Sequence, residues 1–214
     1  MEKFDRKKHW ENIYQTKALD EVGWYQPRPE TSLALIATCG LPKTARIIDV
    51  GGGDSLLVDH LLELGYRDIT VLDISENAII RAKRRLGEQA DKVKWIVADA
   101  AVFDPPEAYD LWHDRAAFHF LTEEKEIASY IAAAEKGVVP NGHLVIGTFS
   151  TAGPEKCSGI RIHQYSEDSL VKLLSNSFEK VHCRTVDHRT PSESIQNYLF
   201  CSFIKRPEEP GKDK

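Results

Sequence analysis

No apolar run in this chain approaches the ~18 residues needed to span a bilayer as a helix, and 29% of its 214 residues are charged. A membrane partner is therefore not expected. The N-terminus, Met1-Glu2-Lys3-Phe4-Asp5-Arg6-Lys7-Lys8, is basic, but no apolar core of the secretory kind follows it, so residence in the cytoplasm is the expectation. Cysteine is scarce. Cys39, Cys157, Cys183 and Cys201 lie far apart and form no C-x-x-C pair, which argues against a zinc site and for reduced thiols. Positive charge is also short: 28 Lys and Arg against 33 Asp and Glu leave a net charge of −5. Nucleic-acid binders carry a basic footprint that neutralises phosphates, and the one basic cluster here, Arg81-Lys83-Arg84-Arg85, reads as a solvated helix face. Internal repeats are absent, and linker-like composition is confined to the C-terminus.

What the chain does have is a glycine-rich turn between a strand-like and a helix-like run. Ala45-Arg46-Ile47-Ile48-Asp49-Val50 leads into Gly51-Gly52-Gly53-Asp54, and Ser55-Leu56-Leu57-Val58-Asp59-His60-Leu61-Leu62-Glu63-Leu64 follows. Glycines at such a turn let the backbone approach a nucleotide-type ligand. About 20 residues on, Ile69-Thr70-Val71-Leu72 ends in Asp73, where a carboxylate is placed to accept from ribose hydroxyls. A dinucleotide fingerprint would need a third glycine where Leu56 stands, and that disfavours a nicotinamide dehydrogenase. The acidic Asp49 and Asp54 suit a ligand with an ammonium and a sulfonium centre instead.

The D-x-G-x-G spacing resembles motif I of the class I S-adenosylmethionine-dependent methyltransferases, and the resemblance continues in order. Val71-Leu72-Asp73-Ile74-Ser75 is similar to motif II and implies Asp73 on the ribose and Ile74 against the adenine. Val93-Lys94-Trp95-Ile96-Val97-Ala98-Asp99-Ala100 resembles motif III, which implies Asp99 and Ala100 at the adenine. Tyr109-Asp110-Leu111-Trp112-His113-Asp114-Arg115-Ala116 stands where motif IV belongs, and Gly142-His143-Leu144-Val145-Ile146-Gly147-Thr148-Phe149 reads as the fifth strand, entered through the turn at Val139-Pro140-Asn141-Gly142. Motif IV lacks the N-P-P-aromatic signature of methyltransferases that act on base amines, a second argument against a nucleic-acid substrate. Asp114-Arg115-Ala116-Ala117 is similar to segments of thiopurine S-methyltransferases and of protein-lysine methyltransferases. His9-Trp10-Glu11-Asn12-Ile13-Tyr14 with Gly23-Trp24-Tyr25 resembles the N-terminal aromatic segment of the second branch and of many small-molecule enzymes.

The alternation of elements predicts helices near 5–17, 30–39, 55–64, 76–87, 123–136 and 166–176. It predicts strands near 45–50, 69–73, 93–97, 109–113, 142–149, 178–187 and 195–205, the last two as an antiparallel hairpin. The expected fold is α/β: a Rossmann-like, seven-stranded, mostly parallel sheet with helices on both faces and a C-terminal antiparallel hairpin. Residues 1–205 are read as one domain, with a helical cover at 1–40, a cofactor-binding core at 45–149, and a substrate loop and terminal hairpin at 150–205. A disordered tail at 206–214 is expected to follow.

Ligands of open α/β sheets lie at the carboxyl ends of the strands. That rule sets Asp49, Asp73, Asp99 and Asp114 along one rim, and the resemblance implies S-adenosylmethionine as cofactor. The candidate cofactor residues are Trp10, Tyr14, Asp49, Gly51, Gly52, Gly53, Asp73, Ile74, Asp99 and Ala100. Asp114 is the leading catalytic candidate, with Arg115 as an anion-binding or orienting group and His113 as the alternative. Strand alternation sends His113 and Asp114 to opposite faces. Trp10, Tyr14, Trp24 and Tyr25 either fold over the cofactor or pack the N-terminal helix. Residues 150–159 read as a mobile loop, with Arg161, His163 and Tyr165 beyond it as substrate contacts or surface residues. The expected activity is methyl transfer to a heteroatom of a small molecule. Protein-lysine methylation is the alternative acceptor class, and a non-catalytic, cofactor-binding partner subunit is the alternative outside enzymes.

Overall fold

The computed structural model describes residues 4–207. Seven strands form one sheet: β1 (Arg46–Val50), β2 (Asp68–Asp73), β3 (Val93–Val97), β4 (Tyr109–Arg115), β5 (Val138–Phe149), β8 (Phe178–Arg189) and β9 (Ile195–Lys205). Their order is β3-β2-β1-β4-β5-β9-β8. The first five run parallel, β9 is antiparallel to β5, and β8 pairs with β9 as a hairpin. The helices are α1 (Arg6–Thr16), α2 (Glu30–Thr38), α3 (Leu57–Glu63), α4 (Glu76–Leu86), α5 (Glu124–Gly137) and α6 (Glu167–Leu174).

Alternation within the strands splits the core in two, one half on each face of the sheet. Ile48, Val50, Leu72, Trp112 and Ile146 pack under α5 and α6, whereas Ile47, Val71, Leu111 and Val145 pack under α2 and α3. Burial on both faces is why β1 and β2 are nearly continuous apolar runs. Strand order reverses between β1 and β4, and the crevice at that reversal is where an open α/β sheet binds its ligand.

Four features differ from the sequence expectations. First, Cys183 and Cys201 are not reduced thiols. They face each other across β8 and β9 and are joined by a disulfide, with Cα atoms 4.1 Å apart. Sequence spacing carries no information about cross-strand register, so the pair was invisible until the hairpin closed. Cys39 and Cys157 are free. Second, β5 begins at Val138, and the turn at Val139–Gly142 is an irregularity inside the strand, with Asn141 at φ 62°.

Third, the segment after β5 carries strand pairing of its own. Lys156–Cys157 and Ile160–Arg161 (β6 and β7) pair as a small hairpin. Its turn residues Ser158 and Gly159 both have positive φ, as a tight two-residue hairpin turn requires. Fourth, the basic cluster on α4 is only partly a solvated face. Arg81 donates to the carbonyls of Tyr14 and Lys17, and Arg85 donates to Asp59 and to the carbonyls of Asp54 and Ser55. The expected tail lies outside the described residues except for Arg206 and Pro207, and the Arg206 amide donates to the Ser177 carbonyl.

Candidate active site

A cleft with a cavity volume of about 80 Å³ opens at the carboxyl ends of the central strands. Its floor is Gly51 after β1, Leu72, Asp73 and Ile74 at the end of β2, Ala98, Asp99 and Ala100 after β3, and Arg115, Ala116 and Ala117 at the end of β4. Trp10 and Tyr14 from α1, with Trp24, Phe120, Leu121 and Cys157, complete the walls.

All three glycines of the turn sit at a close approach: a Cβ on any of them would come within 3.0 Å of a neighbouring atom. Gly51 (φ +68°) and Gly52 both donate their amides to the Leu72 carbonyl, at 2.7 and 3.1 Å. A Cβ at Gly53 (φ +50°) would lie 2.6 Å from the Tyr14 hydroxyl oxygen and 2.9 Å from Asp73 Oδ2. The turn is thus shaped as much by α1 closing over it as by any ligand. Gly52 faces a smaller neighbouring cavity of about 20 Å³, and Gly53 lines neither.

Asp73 accepts from the Ser75 amide at 2.8 Å through Oδ1, and its Oδ2 turns towards the glycine turn. Burial pushes its pKa up to about 7; the Ser75 amide opposes the rise, and Asp54, Asp49 and Glu11 add to it. Asp99 sits at the opposite end of the cleft. Both its oxygens accept from Arg6 Nη1 at 3.0 Å, and Oδ1 also accepts from the Ala101 amide. Arg6 reaches on to Glu126 at 2.8 Å, which ties α1 to α5 across the rim.

A second tie comes from Glu11. Its carboxylate accepts from the Ser75 hydroxyl, the Glu76 and Asn77 amides and the Asn77 side chain, so it covers the amino end of α4. These hydrogen bonds hold its pKa below the usual carboxylate range against a partial burial that would raise it. Neither Arg6 nor Glu11 was singled out from the sequence. The only signal for them was their place in the helix that carries Trp10, Arg6 one turn before it and Glu11 next to it.

The aromatic residues both pack and enclose. Trp10 meets Phe120 and Trp24 edge-on at 4.9 and 5.6 Å, Tyr14 lies 6.1 Å from Trp24, and all four line the cleft. Tyr25 does not line it.

The motif IV residues part ways. Asp114 does not line the cleft. It is wholly buried, and its carboxylate accepts from the Ala117 and Phe118 amides and from the Tyr130 hydroxyl. The sequence expectation puts it first for the chemistry; in the structure its hydrogen bonds secure the turn after β4, where Ala116 adopts φ +68°. Burial raises its pKa to about 6 against those three donors.

His113 points to the opposite face, as alternation requires, and lines the smaller cavity with Asp49, Ser32, Gly52 and Arg115. Arg115 lines both cavities. It donates to the Trp24 carbonyl at 2.9 Å and lies 5.4 Å over the Tyr198 ring, and its Nε is buried without a partner. Asp54 is buried against Arg81 at 2.9 Å and lines neither cavity. Of the three residues beyond the loop, Arg161 and His163 are exposed and Tyr165 is core, stacked on Phe118 at 5.3 Å. None of the three lines the cleft.

Among the described residues no cluster of side chains is arranged to hold a metal ion, and no helix is long and apolar enough to cross a membrane. A family model for a methyltransferase domain matches residues 47–142. Nodulation protein S of Sinorhizobium fredii is 24% identical over 169 residues, which cover 78% of this chain and 74% of that protein. The eEF1A lysine and N-terminal methyltransferase of Mus musculus is 26% identical over 121 residues, covering 56% of this chain and 17% of that much longer one. The solved structure of Burkholderia thailandensis 1,6-didemethyltoxoflavin-N1-methyltransferase, with bound 1,6-didemethyltoxoflavin and S-adenosylhomocysteine, aligns with a TM-score of 0.68 at 21% identity, over 94% of this chain and 84% of that one.

Proposed function

Because this chain belongs to the class I S-adenosylmethionine-dependent methyltransferases, we propose that it moves the methyl group of that cofactor to a heteroatom of a small molecule by in-line displacement. The cleft suits the cofactor at both ends. Asp73 Oδ2 is turned to where ribose hydroxyls would donate, and Ile74, Ala98 and Ala100 offer an apolar wall for the adenine beside Asp99. Asp49 lines the smaller neighbouring cavity rather than the cleft, and we assign it to the ammonium group. When bound, the cofactor supplies a sulfonium methyl that is already activated for displacement.

The chain's own contribution is then position and enclosure. Holding a nucleophile in line at near-attack distance can account for roughly 7–11 kcal/mol of barrier lowering. Trp10, Tyr14, Trp24 and Phe120 exclude water and present ring faces and edges around a cationic centre, an attraction of ~0.5–2 kcal/mol when desolvated. We assign Arg115 to hold an anionic or carbonyl oxygen of the acceptor. Among the described residues no histidine or lysine lines the cleft, and Asp114 is occupied by three donors. The acceptor therefore arrives with its lone pair free, as an amine of low pKa or a thiolate does.

The observation that supports the small-molecule reading is the partial cover of the cleft by α1 and the turn after β4, with Cys157 of the β6–β7 hairpin in one wall. Isothermal titration with S-adenosylhomocysteine, followed by labelled-methyl transfer to thiols, amines, carboxylates and lysine or N-terminal peptides, tests it. Micromolar binding with transfer to a small acceptor is expected. Transfer to peptides alone would replace the acceptor class, and binding without any transfer would mark a partner subunit.

A further inference from the structure

We propose that His113 is a positioning residue that holds Asp49 as the acceptor for the cofactor's ammonium group. The inference rests on the assignment of Asp49 made above. His113 and Asp49 are paired neighbours on β4 and β1, and the imidazole joins two elements. Its Nδ1 lies 2.7 Å from Asp49 Oδ1, and its Nε2 lies 2.9 Å from the Ser32 hydroxyl of α2. All three side chains are buried, at 1%, 3% and 1% exposure for His113, Asp49 and Ser32.

The hydroxyl of Ser32 can donate to Nε2. The ring proton then sits on Nδ1, aimed at Asp49, since the partner of one imidazole nitrogen sets the role of the other. An Nδ1–H donated to Oδ1 satisfies one of the two carboxylate oxygens. A buried carboxylate without such a donor would be strongly disfavoured. The other oxygen, Oδ2, is directed at the glycine turn: a Cβ placed on Gly52 would come within 2.5 Å of it. The smaller cavity is bounded by these same groups, and Arg115 lines it too. One face of Asp49 is therefore fixed by His113, and the other is left to a ligand cation.

The test compares two ligands, S-adenosylhomocysteine and 5′-methylthioadenosine, which lacks the amino-acid end. His113→Leu is expected to weaken S-adenosylhomocysteine by about 10-fold or more and to leave methylthioadenosine within about 2-fold. His113→Asn, whose amide can replace the Nδ1 donor, is expected to restore most of the difference. Equal losses for both ligands, or failure of the asparagine to restore selectivity, would show that His113 merely packs the sheet and overturn the proposal. Asp49→Asn separates the layers. If it leaves the ratio of the two affinities unchanged, the assignment of Asp49 is wrong. If it collapses the ratio while His113→Leu does not, the positioning role alone fails. Should His113→Leu not fold, His113→Asn against Asp49→Asn still decides: a kept ratio beside a collapsed one supports the role, and two collapsed ratios sink it.

Discussion

The Tyr130 hydroxyl of α5 donates to Asp114 Oδ2 at 2.7 Å and accepts from Trp112 Nε1 at 3.0 Å. One phenol thus satisfies two buried groups on β4, and Asp114 in turn holds the amides of the turn that floors the cleft. Tyr130→Phe leaves both partners unsatisfied, a loss of roughly 1–3 kcal/mol. In a chain of this size each kcal/mol lowers Tm by about 2–4 °C. A clear drop in Tm with kcat changed less than about 3-fold is the expected result. An unchanged Tm with activity abolished would restore Asp114 to the chemistry.

Asp73 sets stability against binding. Its folded pKa of about 7 lies above the ~3.9 of an unfolded aspartate. The stability it contributes is therefore complete below ~3.9 and is lost as pH rises through about 7. The carboxylate that burial disfavours is the form that accepts from ribose. S-adenosylhomocysteine affinity should rise from pH 6 to 8, and Asp73→Asn should flatten that profile and weaken binding by about 10-fold at pH 8. The same variant should raise the Tm of the ligand-free protein at pH 8 by a few degrees. A pH-independent affinity for the wild-type chain would remove Asp73 from the cofactor site.

Much of this architecture was readable from the chain because short apolar strand runs and helix-like runs alternate between clear breakers. The sheet and its helices fall within a few residues of expectation, and Asp73, Ile74, Asp99 and Ala100 reach the cleft together because strand ends converge there. What could not be read were choices made across the fold. Asp114 is hidden by a tyrosine 16 residues on, Asp99 is gripped by Arg6 at a separation of 93, and Cys183 meets Cys201 only through hairpin register. Motif position placed each residue at the rim, and only tertiary partners decided which side it faced.

Arg6 is a fastener for the cover. Its bonds to Asp99 and Glu126 leave its side chain 19% exposed, so the pairs are only partly screened by water. Arg6→Ala should loosen α1 and speed release of S-adenosylhomocysteine by about 3- to 10-fold, with a smaller change in Tm. Arg6→Lys cannot span both carboxylates with a planar fork and should fall between. Stopped-flow displacement measures the rate. A release rate equal to wild type in Arg6→Ala would show that the aromatic contacts hold α1 alone.

The disulfide joins the outermost strand to its neighbour, 18 residues apart in sequence. Thiol titration of the denatured, oxidised chain should count two free thiols, Cys39 and Cys157, and four after reduction. Reduction should lower Tm by several degrees, since closing a loop of this length is worth about 3 kcal/mol on the chain-entropy estimate. Four thiols before reduction would show the bridge unformed.

Arg115 carries a charge that the described residues do not answer with a carboxylate. Its contacts are the Trp24 carbonyl and the Tyr198 ring, and Nε has no partner. A guanidinium so placed at the end of β4 has donors to spare for a ligand oxygen, and its position between the two cavities decides whose. If it serves the acceptor, Arg115→Ala should raise the acceptor KM by about 10-fold or more and leave S-adenosylhomocysteine affinity within about 3-fold. Arg115→Lys should recover only part of the loss, because the charge persists while the fork and its stacking on Tyr198 do not. If instead cofactor affinity falls and the acceptor KM holds, the guanidinium belongs to the carboxylate end of the cofactor. Asp49 and Arg115 would then grip the two charges of one amino-acid group from opposite walls of the smaller cavity.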